Sequence, residues 1–196
     1  QKEVGQATVG STVSATNANI PDKTRKGWEK DNAQNASSSI EVKADGSAVL
    51  YVYYKLKEYT FRFNAGTYET GGWFSNTYNV YATLVGHNVT NQQNQLSYSM
   101  TVKLGQDISS TWPMEVTGYY RSGGNQSVNF RGWYPNNGEN SVYVTKRLTV
   151  TEDMLPSSNN SNTVTYTAQW LAGGYTIAVE YWLQDANGNY QKDERL

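Results

Sequence analysis

The sequence predicts a mainly β protein, on three observations. Runs rich in Tyr, Val and Thr alternate with period two. Turn-forming residues fall between those runs. Helical signals are few and short.

The elements follow in chain order. Residues 10–18 fit a short helix and a strand equally well. Residues 39–43 and the run SAVLYVYYKL at 47–56 flank Ala44-Asp45-Gly46. Asp-Gly tolerates positive φ, so this reads as a hairpin turn. EYTFRF at 58–63, TYNVYATLV at 77–85 and LSYSMTVKL at 96–104 read as strands. So do TVTYTAQW at 163–170 and YTIAVEYWL at 175–183. Gly71-Gly72 and Gly123-Gly124 mark loops, and Asp185-Ala186-Asn187-Gly188-Asn189 marks a second hairpin turn.

Residues 107–112 predict one helical turn, with Asp107 as N-cap and Pro113 ending it. Residues 149–155 predict another, with Thr151 as cap and acidic residues in the first turn. Strands on either side of 55–57 cannot both run through it, and Ala172-Gly173-Gly174 reads as a linker. The organisation expected is a module at 1–56, a second at 57–171, and a linker with a strand or hairpin at 172–196.

Composition narrows the class of function. Of 196 residues, 17% are charged and 13% aromatic, so the chain is polar yet has the side chains to build a core. A net charge of −1 gives no basic field for nucleic acid or an anionic membrane. No apolar run reaches membrane-spanning length. The lack of cysteine leans toward an extracellular protein without disulfides. The chain opens at Gln1 rather than Met, which reads as a piece processed or excised from something longer.

Candidate chemistry is sparse. His87 is the sole histidine and has no nucleophile motif beside it. One His and no Cys cannot supply the usual zinc ligands. The 185–189 turn places oxygen ligands at alternate positions, as a calcium loop does, but lacks the downstream bidentate Glu. Glu139, Glu152 and Asp153 form no recognisable glycosidase pair. No spacing singles out a Lys and an Asn for an isopeptide crosslink. The sequence thus predicts no catalytic residue, no metal and no cofactor. Trp133 and Trp170 read as core. Trp73-Phe74 and Tyr119-Tyr120 lie beside the Gly-Gly loops, where exposed aromatics near Asn and Gln make platforms for sugars.

Two strings carry a family resemblance. Phe130-Arg131-Gly132-Trp133-Tyr134, then Thr165-Tyr166-Thr167-Ala168-Gln169-Trp170, resembles the end of internalin-type B-repeats. Tyr59-Thr60-Phe61-Arg62-Phe63-Asn64 resembles the strand that opens them. Val9-Gly10-Ser11-Thr12-Val13 and the stretch 44–54 are similar to the later part of a MucBP-like repeat. The hairpin that opens such a repeat is matched by 175–190, at the other end of the chain. The resemblance implies β-grasp-like modules of a Gram-positive surface protein, extracellular and cell-wall attached or secreted as a filament.

It also implies a tandem array cut out of phase. Residues 1–56 then lack their first strand. The tail carries Tyr175, Ile177, Val179, Tyr181 and Leu183 on one face and Trp182 on the other. Burying five such side chains contributes on the order of 10 kcal/mol before ordering costs. The expectation is therefore a non-catalytic stalk or filament module. Its partners are identical or homologous repeats, joined head to tail by strand addition. A glycan- or mucin-binding adhesin is the alternative.

Overall fold

The computed structural model describes residues 5–17, 20–137, 146–158, 161–173, 181–184 and 187–192. The N-terminal elements are β1 (Thr12–Ser14), β2 (Trp28–Lys30), α1 (Asn32–Ala36), β3 (Ser39–Glu41) and β4 (Tyr54–Leu56). Then come β5 (Tyr59–Asn64), β6 (Thr67–Glu69), β7 (Thr77–Asn79), β8 (Tyr81–Leu84) and β9 (Val89–Gln92). β10 (Gln95–Val102), β11 (Val116–Arg121), β12 (Asn125–Pro135) and β13 (Thr163–Ala172) follow, with a 3-10 turn at Glu152–Met154 before β13. β14 (Trp182–Gln184) and β15 (Tyr190–Lys192) close the described chain. The protein is mainly β, as the alternating runs predict.

The central body is one seven-stranded sheet in the order β10-β5-β13-β12-β11-β8-β9. Its two edge strands, β9 and β10, are joined by Gln93-Asn94 alone. A sheet whose opposite edges are so closely tethered must curl on itself, and this one forms an open barrel. Asn91 and Asn94 make the tight corner with φ of 51° and 55°. All pairings are antiparallel except that of β5 with β13, which run parallel from Thr163↔Thr60 to Thr167↔Asn64.

Alternation builds the core. Tyr59, Phe61 and Phe63 of β5 face inward, as do Val164, Tyr166, Ala168 and Trp170 of β13. Phe63 sits at the centre, 4.9 Å from Trp133, 5.5 Å from Trp112 and 5.6 Å from Tyr166, ring centre to ring centre. Both indoles are satisfied: Trp133 Nε1 donates to Pro113 O at 2.8 Å and Trp170 Nε1 to Ala65 O at 2.6 Å. The Trp170 ring lies over Gly118, where any Cβ would come within 2.5 Å of it. Trp133 and Trp170 are core, as expected.

Several elements differ from the sequence reading. The run 77–85 is two strands, because buried Val80 is a corner between the β6–β7 hairpin and the barrel. Residues 107–112 make the single turn expected and no longer helix. Asp107 caps it through Ser109 N–H at 2.8 Å, and one helical bond, Trp112 N–H to Ile108 O, closes it. Thr151 holds the cap position of the 3-10 turn, but its side chain makes no capping bond. The undecided stretch at 10–18 contains a strand, β1.

The largest difference lies at 47–56. Only Tyr54–Leu56 is a strand, paired with β2. The Asp45-Gly46 turn forms as expected, with Gly46 at φ 71° and Ser47 N–H bound to Asp45 Oδ1 at 3.0 Å. Its two arms nevertheless do not pair: β3 bonds β1 through one edge, and residues 48–52 make no backbone–backbone bond to the other. The second arm is held by α1. Asp31 caps that helix through Gln34 N–H, and Asn35 points inward from it.

Candidate functional site

The unpaired arm borders an open cleft. In β3 and its flanks, Ser38, Ile40 and Val42 aim their backbone groups at β1. Ala15 N–H donates to Ser38 O, Gly10 N–H to Val42 O, and Val42 N–H to Ser11 O, each at 2.9 Å. Pleating therefore turns the backbone groups of Ser39 and Glu41 the other way. There Ser39 lines an open cleft of about 240 Å³, whose other wall is Val49, Leu50, Tyr51 and Tyr53. Among the described residues, the backbones of Ala48, Val49, Leu50 and Val52 make no hydrogen bond. Val49, Tyr51 and Tyr53 are exposed.

Asn35 fixes that wall. Its side-chain amide bonds both backbone groups of Tyr53: Oδ1 accepts from Tyr53 N–H at 2.8 Å and Nδ2 donates to Tyr53 O at 3.0 Å. This is the pair of bonds that a neighbouring strand residue makes, supplied here by a side chain. Ser38 Oγ adds a bond to Tyr51 O at 2.6 Å. Among the described residues of 5–56, Ala15 and Asn35 are the only buried side chains. The block is thus framed by hydrogen bonds but has almost no apolar core.

The tail expected to fill such a gap is described in part. Tyr175, Ile177 and Val179 lie outside the described residues. Tyr181, Trp182 and Leu183 are all exposed, and Tyr190 with them. β14 and β15 form an antiparallel hairpin, Trp182↔Lys192 to Gln184↔Tyr190, in keeping with the turn expected at 185–189. Gln184 Nε2 donates to Gly188 O across that turn at 3.0 Å.

The four aromatics read as a sugar platform do not share one surface. Trp73 and Phe74 stand at the tip of the β6–β7 hairpin, 102% and 91% exposed. Tyr120 is packed beneath that hairpin, 5.1 Å from Tyr68 and 4.9 Å from Tyr78. Tyr119 points to the other face of β11. There it stacks on its cross-strand partner Tyr81 at 5.2 Å, with the Arg121 guanidinium 4.5 Å over the Tyr81 ring. Tyr119 and Tyr120, as neighbours on one strand, face opposite sides.

The remaining candidates make no reactive constellation. His87 lies 4.7 Å from the Tyr98 ring, and partial burial lowers its pKa. Asp153 pairs with Arg147 at 3.4 Å, and Glu139 lies outside the described residues. Burial pushes the Tyr166 phenol up; its hydroxyl and Arg147 Nε are buried without a hydrogen-bond partner among the described residues. No group of three metal-ligating side chains occurs among the described residues. None of their helices is long and apolar enough to cross a membrane.

The sequence reading did not single out Asn35. Its only local signal was the sequon Asn35-Ala36-Ser37, which points to the surface, whereas the side chain is buried. Comparison with protein-family models, with curated proteins and with solved structures gives no match for this chain.

Proposed function

We propose that the chain is a non-catalytic repeat module of a bacterial cell-surface or secreted protein. It comprises two β-grasp-like units in tandem, with the tail serving a neighbouring copy. Copies join head to tail into a stalk or filament, the tail strand of one entering the incomplete N-terminal unit of the next. The observation that carries this reading is the cleft between β3 and residues 49–53. It offers backbone groups along one wall and exposed Val49, Tyr51 and Tyr53 beside it, in a block that buries almost no apolar side chain. An extended apolar segment supplies what such a block lacks, ladder bonds and core together. Exposed Tyr181, Trp182 and Leu183 belong to a segment with the required alternation.

Sedimentation of the full chain over a range of concentrations tests this. The expected result is reversible end-to-end association, abolished by deleting residues 172–196 and inhibited by a peptide spanning 175–184. A full chain that stays monomeric throughout, with a deletion variant of unchanged stability, rules strand addition out.

A second reading, a glycan- or mucin-binding adhesin, is favoured by the near-complete exposure of Trp73 and Phe74. Two adjacent aromatic faces in water, flanked by Gly71-Gly72 and by Ser75-Asn76, suit stacking on sugar rings. On this reading Trp73→Ala abolishes glycan-array binding while leaving stability within about 0.5 kcal/mol. Binding that survives Trp73→Ala and Phe74→Ala together excludes the platform.

A further inference from the structure

From the parallel ladder between β5 and β13 we infer that the barrel is a force-bearing clamp, loaded in shear when the chain is pulled from its two ends. β5 is the first strand of the seven-stranded sheet in sequence and β13 the last. Tension therefore enters the barrel at Tyr59 and leaves it at Ala172. The two strands are direct neighbours and point the same way, with Thr163 opposite Thr60 and Thr167 opposite Asn64. Tension drags β5 backward along its own axis and β13 forward along its own. The strands slide past one another, so every rung of the ladder carries load at once.

The strands on either side extend the clamp. β5 is also paired with β10, and β13 with β12 along most of its length, from Val128↔Ala172 to Pro135↔Tyr166. Neither terminal strand is an edge of the sheet, so neither can peel away on its own. The inward faces of both carry Phe61, Phe63, Val164 and Tyr166, and sliding by one residue would turn those side chains out of the core. The tail hairpin has the opposite geometry. In β14–β15, Trp182 and Lys192 sit side by side at the open end, so tension opens that ladder one rung at a time. The chain thus joins an element that yields early to one that yields late.

The inference rests on the stalk reading only for its purpose, since resistance to load belongs to a single chain and needs no second copy. The chain has no cysteine, so paired cysteines at exposed positions give unique attachment points for maleimide-linked handles in a force spectrometer. Glu58→Cys with Ala172→Cys loads the ladder in shear. Glu58→Cys with Lys103→Cys pulls at Tyr59↔Val102, the adjacent ends of antiparallel β5 and β10, and so unzips them.

The expected result is strong dependence on direction. At equal load, rupture in the shear geometry is slower by about 100-fold or more, because several hydrogen bonds must fail together. Shear rupture appears as one event that lengthens the tether by on the order of 400 Å. Equal rupture rates in the two directions, in variants of equal chemical stability, overturn the clamp. So does shear rupture in several small steps. Neither outcome bears on head-to-tail association, which sedimentation reads separately.

Discussion

Replacing Trp133 by Ala lowers the unfolding free energy of the barrel by about 3–5 kcal/mol, the range for a buried large aromatic. Three losses add at this position. The indole is fully buried and makes edge contacts with Phe63 at 4.9 Å and Phe130 at 5.2 Å, so truncation opens a cavity beside the central ring of the core. Those aromatic pairs go with it. The Pro113 carbonyl loses its donor from Nε1 while remaining in a buried segment. Trp133→Phe separates the terms. It keeps most of the ring volume and loses the hydrogen bond, so its cost falls to about 1–3 kcal/mol. Trp73→Ala is the matched control, the same chemical change at a fully exposed site. Urea unfolding followed by tryptophan fluorescence and by far-UV circular dichroism checks all three. Nearly equal midpoints for Trp133→Ala and Trp73→Ala contradict the placement of Trp133 in the core.

The contrast between these two tryptophans also shows what a sequence makes legible. Trp133 lies in a patterned string whose partner string ends in Trp170, and both are core. Trp73 follows two glycines, and the loop that those imply leaves it in water. β5, β10 and β13 were readable because one face of each is buried, so apolar residues recur at every second position. β12 was not, although it has eleven residues. Its register shifts between Phe130 and Gly132, and that bulge breaks the alternation along Asn-Phe-Arg-Gly-Trp. The Gly123-Gly124 loop before it proves to be a hairpin turn, with Ser122 N–H bound to Gly124 O at 2.9 Å.

The 47–56 run misled for a different reason. Its alternation is that of a strand, but Val49, Tyr51 and Tyr53 on one side of it find solvent. Local pattern reports which face a residue is fit to occupy. It does not report whether a partner is there to cover that face. The resemblance leads to the expectation of a missing strand in 1–56, but the position of the cleft is not legible: a cleft is defined by a pairing that does not occur, and sequence signals describe the pairings that do.

Asn35→Leu tests whether this cleft has a built wall, and it is the second largest effect expected. Leu matches the size of Asn but cannot bond the backbone. Tyr53 O keeps its bond from Asp31 N–H at 3.0 Å, whereas Tyr53 N–H loses its only acceptor among the described residues. One orphaned amide in a partly buried position costs about 1–3 kcal/mol, which a block with so little apolar core is poorly placed to absorb. The loss is local. Hydrogen exchange rises at Tyr53 and along β4, residues 53–56, while the barrel strands keep their protection, because the barrel core includes no described residue of the N-terminal block. Asn35→Asp distinguishes loss of the bond from loss of the shape: burial favours its protonated form, whose carboxyl can accept from Tyr53 N–H and donate to Tyr53 O, so the wall at Tyr53 keeps more protection than in the Leu variant. Association follows the wall. If strand addition uses this cleft, the Leu variant releases residues 49–53 from their position, and the full chain sediments as a weaker associator at every concentration. Unchanged association in a variant whose 53–56 segment exchanges freely would move the docking surface elsewhere on the chain. Retained protection at 53–56 would show instead that the Tyr53 bonds are not what holds the cleft open.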